Sequence, residues 1–256
     1  MPLKIIDIVG TDYQPIASSN FARRTGQWLI LVEFWVVTTL CIFTNYYFYL
    51  YAYQSNPWLF LMLPLSLWGL VYQFAFLTAL LTWFFLVILR KIEPPKEGEF
   101  PLDGREFKYY CYRFYICYYT LYLFRGLALP WADMIAFRLF GMKVGGSVVL
   151  YDSWVDPELV EIGDNVMLSM NAALISHCIY NKKFVVGKVV VGRNAIVGAE
   201  AVVGPGAILE DGAILGVGCH CRINQRLDAY STHVGNPASK VLPIKIVDDE
   251  PKGGRK

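Results

Sequence analysis

His177 is one of only three histidines in this chain of 256 residues. It stands in the stretch NAALISHCIYNKKFVVGKVVVGRNAIVG, residues 171–198, where a six-residue rhythm breaks. An imidazole with an unperturbed pKa of roughly 6.5 is mostly neutral at cytosolic pH. Such a ring can take a proton from a hydroxyl or an amine as that group attacks a carbonyl carbon. A carboxylate beside it would fix the tautomer that leaves one ring nitrogen free. Glu200 is the candidate for that role, or for holding an amine acceptor. The other reading of His177 is a polar turn residue, because the same place in neighbouring repeats carries Asn, Gly or Glu. Lys182 and Lys183, inside the break, can meet phosphates or lipid headgroups, or can form a loop tip in water.

The rhythm defines the elements that must hold these groups. From Val191 to His220 the chain divides into five hexads: VGRNAI, VGAEAV, VGPGAI, LEDGAI and LGVGCH. Position one is Val or Leu, position five is Ala or Cys, and position two is Gly in four of the five. VVGKVV at 185–190 joins this frame; IGDNVM, LSMNAA and LISHCI at 162–179 form an earlier run, whose frame VGGSVV and LYDSWV at 144–155 keep. The pattern predicts a parallel β-helix, each hexad a short strand and a turn, three hexads to a coil. Position one buries an aliphatic side chain, position five admits a small one, and Gly or Asn serves turns that need φ > 0.

Hexads starting at 162, 168 and 174 resume at 185, 191 and 197, so five residues, Tyr180 to Phe184, are looped out. Counting across that loop sets Glu200 one rung above His177, and Asn194 one rung above Asn171. Rungs are about 4.8 Å apart, within reach of a side-chain hydrogen bond. The asparagine pair reads as a turn ladder, or as amides polarising a carbonyl oxygen.

The first half of the chain is of another kind. The sequence is 55% hydrophobic and 17% charged, with a mean hydropathy of +0.40, whereas average usage is about a quarter charged. Residues 29–53 contain one charge, Glu33, and residues 58–89 contain none. About 20 apolar residues cross a bilayer core, so both stretches predict transmembrane helices. Lys4, Arg23 and Arg24 precede the first, Arg90 and Lys91 close the second, and the loop between them is uncharged. The positive-inside rule then places both termini, and everything after residue 90, on the cytoplasmic side of the cell membrane. The six cysteines show no disulfide spacing, in keeping with a reducing compartment.

Residues 92–106 are a Pro- and Gly-punctuated linker. Residues 107–130 hold seven tyrosines, three basic residues and no acid. Side chains with an apolar body and a polar head suit the headgroup level. The segment therefore reads as an interfacial helix on the cytoplasmic leaflet, a floor for a lipid-borne substrate, or a buried helix packing the later domain onto the membrane helices. Arg113 and Arg125 argue against a third span. The chain thus divides into 1–91, the N-terminal segment with two transmembrane helices; 92–140, linker and helical segment; 141–240, the β-helix; and 241–256, the tail.

The hexads resemble those of the hexapeptide-repeat family, whose fold is a left-handed parallel β-helix. Most members are acyltransferases that use acyl-CoA, usually as trimers with active sites between neighbouring prisms. In many, a histidine on an extended loop is the catalytic base, which falls on His177, and a late G-x-P-A segment lies near the coenzyme. That segment corresponds here to Gly235, Asn236, Pro237 and Ala238 of VGNPASKV, with Lys240 beside them. FRLFGMKVGGSV, PELVEIGDNV and LISHCIYNKKFVVGKVVVG resemble more closely the membrane-linked C-terminal domains of ε-poly-lysine synthetase-type enzymes. Those domains form amide bonds between amino acids, which implies a carrier-protein thioester as an alternative donor.

The expected fold is therefore an α + β membrane protein: two transmembrane helices and an interfacial helical segment, then a left-handed parallel β-helix. The expected function is membrane-anchored acyl transfer from acyl-CoA to a hydroxyl or amine near membrane lipid, by a homotrimer. A non-catalytic trimeric scaffold is the expectation from another class. A net charge of +2 gives no argument for nucleic acid. Cys219-His220-Cys221 lacks the further partners a metal needs. A γ-type carbonic anhydrase, which shares the fold, needs three zinc-binding histidines, and His177, His220 and His233 do not recur at matching hexad positions. His220 and His233 read as solvated turn residues or as the lining of a coenzyme cleft.

Overall fold

The computed structural model describes residues 18–56, 58, 62–127 and 131–243; Lys4, Pro57 and the tail from residue 244 lie outside them. Helices α1 (Ser18–Ser55) and α2 (Leu63–Ile92) contain the stretches Gly26–Ala52 and Leu65–Ile92, both long and apolar enough to cross a membrane. At 1.5 Å per residue each stretch extends about 40 Å. The two run antiparallel. Thr82 donates to Glu33, and further along Asn45 Nδ2 donates to Gln73 Oε1 at 2.8 Å. Ile42, Phe43, Leu65 and Trp68 are exposed on their outer surface.

Strand β1 (Gly98–Pro101) leads into α3 (Arg105–Gly126). Glu106 in its first turn and Arg125 in its last complement the helix dipole. This is the tyrosine-rich segment, and the structure gives it the packing role. The Thr82 and Thr120 hydroxyls are 2.7 Å apart, Phe124 packs on Phe76, and Trp28 of α1 meets Tyr112 edge-on. On its other side, Arg125 Nη2 donates to the Ser153 carbonyl at 2.7 Å. Arg113 is buried rather than at a membrane surface.

After α4 (Ala132–Leu139) the hexads build three parallel sheets, visited in rotation. The first face stacks β2 (Lys143–Val144), β5 (Val160–Ile162), β10 (Val189–Val191), β13 (Ile208–Leu209) and β16 (Arg226–Leu227). The second stacks β3 (Val149–Leu150), β6 (Met167–Leu168), β11 (Ile196–Val197), β14 (Ile214–Leu215) and β17 (Ser231–Val234), on which β18 (Lys240–Pro243) folds back antiparallel. The third stacks β4 (Trp154–Val155), β7 (Ala173–Leu174), β12 (Val202–Val203) and β15 (His220–Cys221).

The inward slots are as the sequence predicts: Val197, Val203, Leu209 and Leu215 at position one, and Ala195, Ala201, Ala207 and Ala213 at position five, are fully buried. Position four turns the corner with positive φ, at Asn165, Asn171, Asn194, Glu200 and Asn224 among others. For a non-Gly residue that conformation costs about 1–2 kcal/mol, least for Asn. Phe137, Phe140 and Met142 join this core to Leu86, Ile116 and Phe124 of the helices, so one apolar cluster runs through both halves.

The break is longer than the hexad count implies. Val160–Ile162 pairs with Val189–Val191, and Leu174 lies under Val203. The coil carrying the break therefore takes 29 residues rather than 23. The chain leaves the prism at His177 as β8 (His177–Tyr180) and returns as β9 (Lys183–Val186), an antiparallel hairpin to which β1 adds a third strand. VVGKVV mimics a hexad because a hairpin strand also alternates, but Val185 and Val186 belong to β9 and not to a face of the prism.

Candidate active site

His177 stands at position four of its hexad, where other coils turn with positive φ. Here the backbone extends into β8 instead, and the imidazole turns toward α3, against Tyr110 and Phe114. Directly opposite residues of a hairpin share a face. His177, Ile179, Phe184 and Val186 therefore face α3, and Cys178, Tyr180, Lys183 and Val185 face away.

The partner of His177 is Asp156, not Glu200. Asp156 Oδ2 lies 2.7 Å from His177 Nδ1 and accepts from the Ser176 backbone N–H at 2.7 Å and its hydroxyl at 3.0 Å. Tyr110 and Tyr118 each place a hydroxyl 3.4 Å from the same carboxylate. Burial pushes both phenols well above the usual tyrosine range, and the Asp156 charge adds to it, so both stay protonated and donate. A carboxylate this deep, 3% exposed, is stable because its oxygens are satisfied.

With Nδ1–H directed at Asp156 and shared with the Tyr110 oxygen 2.5 Å away, Nε2 carries the free lone pair. The His177 side chain is 25% exposed. Two residues beyond Asp156, Glu158 is clamped between Arg113 Nε at 2.7 Å and Arg90 Nε at 3.0 Å. The end of α2 and the buried face of α3 thereby fix the corner that presents Asp156.

Asp156 escaped the hexad count for a local reason. Val155, not residue 156, occupies the inward slot of the third face, beneath Leu174. The coil loses one residue at the Asp152 corner and regains it at Asp156 to Leu159. The signal available in the sequence was the departure of DPELV, residues 156–160, from the hexad pattern. Tyr110 and Ser176 carried no repeat signal at all.

The other expected residues are dispersed. Glu200 is exposed on the corner between the second and third faces, with φ 56, and its N–H bonds to Met170. It stacks over Asn171, so the expected His177–Glu200 pair does not form. Asn194 stacks over Asn165 at 3.3 Å, not over Asn171. Both corrections follow from the 29-residue coil. Lys182 is exposed at the hairpin tip, and Lys183 pairs with Glu99 at 2.7 Å.

Gly235 and Ala238 close over the third face. The N–H of Gly235 meets Cys219 Sγ at 3.2 Å, and that of Ala238 donates to the His220 carbonyl at 2.8 Å. Asn236 and Pro237 lie between them, and Lys240 opens β18. Beside the hairpin is a cleft of about 720 Å³ whose walls include Glu97, Glu99, Tyr180, Val185, His220, Arg222 and Asn224. His220 thus lines a cleft, whereas His233 is buried on Ser231 at 2.7 Å. Cys219 and Cys221 point into the core and His220 outward, so the three do not converge on a metal.

No family model matches the chain, and no curated protein sequence matches it. Solved structures do. A maltose O-acetyltransferase from Clostridium difficile 630 is 16% identical with a TM-score of 0.47, over 57% of this chain and 92% of that one. A hexapeptide-repeat acetyltransferase from Vibrio cholerae, complexed with acetyl coenzyme A, is 14% identical with a TM-score of 0.37, over 40% and 58%. Soybean serine acetyltransferase, complexed with serine, is 17% identical with a TM-score of 0.33, over 55% and 63%.

Proposed function

We propose that this chain is a membrane-anchored acyltransferase of the left-handed β-helix type, with His177 as general base. The observation that carries the reading is the buried Asp156 carboxylate held 2.7 Å from His177 Nδ1, which leaves Nε2 free in a partly open site. In the proposed reaction, Nε2 accepts the proton of an acceptor hydroxyl or amine while that oxygen or nitrogen bonds to the thioester carbonyl carbon. Asp156 stabilises the imidazolium so formed. As the tetrahedral adduct collapses, the carbon–sulfur bond breaks and the imidazolium proton passes to the departing thiolate.

The donor is acyl-CoA, with a carrier-protein thioester as the variant that would serve amide formation. Arg222, His220 and Asn224 offer cationic and donor groups to a phosphate-bearing coenzyme in a cleft that Glu97 and Glu99 also line, and Ala238 bonds to the backbone of His220. In this reading the length and apolar character of α1 and α2 support anchorage in a membrane, with both termini and the β-helix on the cytoplasmic side and a homotrimer as the active assembly.

The test uses full-length protein in lipid nanodiscs, titrated with acetyl-CoA and then assayed for thiol release with amine and alcohol acceptors. Saturable binding and acceptor-dependent release are expected. Failure to bind any CoA thioester or carrier protein would leave a scaffold as the better account.

A further inference from the structure

Beside His177 a row of aromatic rings runs along one face of α3. Phe114, Tyr118 and Tyr122 are spaced by four residues, so they line up over about 12 Å of helix. Phe114 stands edge-on to the His177 ring at 5.5 Å and 4.2 Å from Tyr118. Tyr118 stacks on Trp154 of the first coil at 6.2 Å, and Tyr122 meets the same indole at 6.0 Å.

The row is open where a packing seam would be closed. The neighbouring seam of Phe107, Tyr110 and Phe184 is almost fully buried, whereas Tyr122 is 57% and Trp154 38% exposed. Arg125 lies over Trp154 and is already held by Asp133 at 2.9 Å. The far end reaches the apolar helices. Phe124, two residues beyond Tyr122 and on the opposite side of α3, packs on Phe76, which sets the end of the row level with a stretch of α2 where Phe76 and Leu80 are exposed.

We propose that this row is the acceptor site, and that the acceptor is an amphiphile with a hydroxyl or amine head and a hydrocarbon tail. The head sits at His177 Nε2. The tail lies along Phe114, Tyr118, Trp154 and Tyr122 and leaves past the exposed ring of Tyr122, where a lipid-phase molecule would enter. The proposal rests on the acyltransferase reading for the reaction, and on the open aromatic row for the ligand.

The test separates the two. Full-length protein in nanodiscs carries benzoylphenylalanine in place of Tyr122 or, as a control, of Tyr230, an exposed ring on a distant corner of the prism. Irradiation with dodecylamine or dodecanol is expected to give an adduct at 122 and none at 230. In parallel, Trp154→Ala and Tyr122→Ala should each lower the preference for dodecylamine over ethanolamine, as a kcat/KM ratio, by at least about tenfold. No adduct at 122, equal labelling at 230, or an unchanged preference overturns the proposal. An adduct at 122 with no thiol release to any acceptor overturns the acyltransferase reading instead.

Discussion

Asp156→Asn is expected to lower kcat for acyl transfer by about 10²–10⁴-fold, with little change in the KM for the thioester. The carboxylate accepts the Nδ1 proton of His177 and so keeps Nε2 free. An amide at that place can donate its own N–H to Nδ1, which stabilises the opposite tautomer and puts the proton on Nε2, where it blocks base catalysis. The amide also lacks the charge that stabilises an imidazolium. Asn fills the same space, but Ser176 and His177 share Oδ2, so an amide nitrogen placed there leaves the Ser176 N–H without its acceptor, and a loss of about 1–3 kcal/mol in stability should accompany the loss of kcat in a protein that still folds. Steady-state thiol release, with thermal unfolding of the same sample, checks both halves. A loss of less than tenfold would mean that Asp156 is only structural.

Glu158→Ala is expected to destabilise the protein by about 3–5 kcal/mol, because it leaves a buried guanidinium without its counter-charge. Arg113 is 3% exposed, and its other hydrogen bond among the described residues is to the Glu93 carbonyl, at 2.9 Å. For a chain of this size the loss corresponds to a fall of about 6–20 °C in the midpoint of thermal unfolding. The pair need not be optimal in itself. Replacing both members with apolar residues, as in Arg113→Met with Glu158→Leu, should recover much of the stability. If Glu158→Ala unfolds at the wild-type midpoint, the contact between the helices and the Asp156 corner does not depend on this ion pair.

The prism was legible in the sequence because its physics is periodic. An inward aliphatic at position one and a small residue at position five recur wherever a coil closes, and Leu209, Leu215, Ala207 and Ala213 fill those slots as predicted. The two apolar helices were legible from length and charge alone. The break at His177 was also visible, since a hairpin must interrupt the hexads. Its true length was not, because the alternating valines of β9 and β10 satisfy the hexad pattern as well as a wall of the prism does.

That single ambiguity moved Glu200 onto His177 on paper, and the two in fact belong to different corners. Asp156 was hidden by a compensating pair of one-residue irregularities in the first coil, which repetition cannot encode. Tyr110 comes from a helix outside the repeat, and composition shows that α3 is aromatic without showing which ring faces which strand.

The central claim is that His177, set by Asp156, is the base for acyl transfer. The most direct measurement is thiol release from acetyl-CoA by the full-length protein in nanodiscs, wild type against His177→Ala, with and without added imidazole. Acceptor-dependent release by the wild type, background release by a folded His177→Ala protein, and partial recovery when free imidazole replaces the missing ring are expected. Wild-type turnover by His177→Ala would contradict the claim.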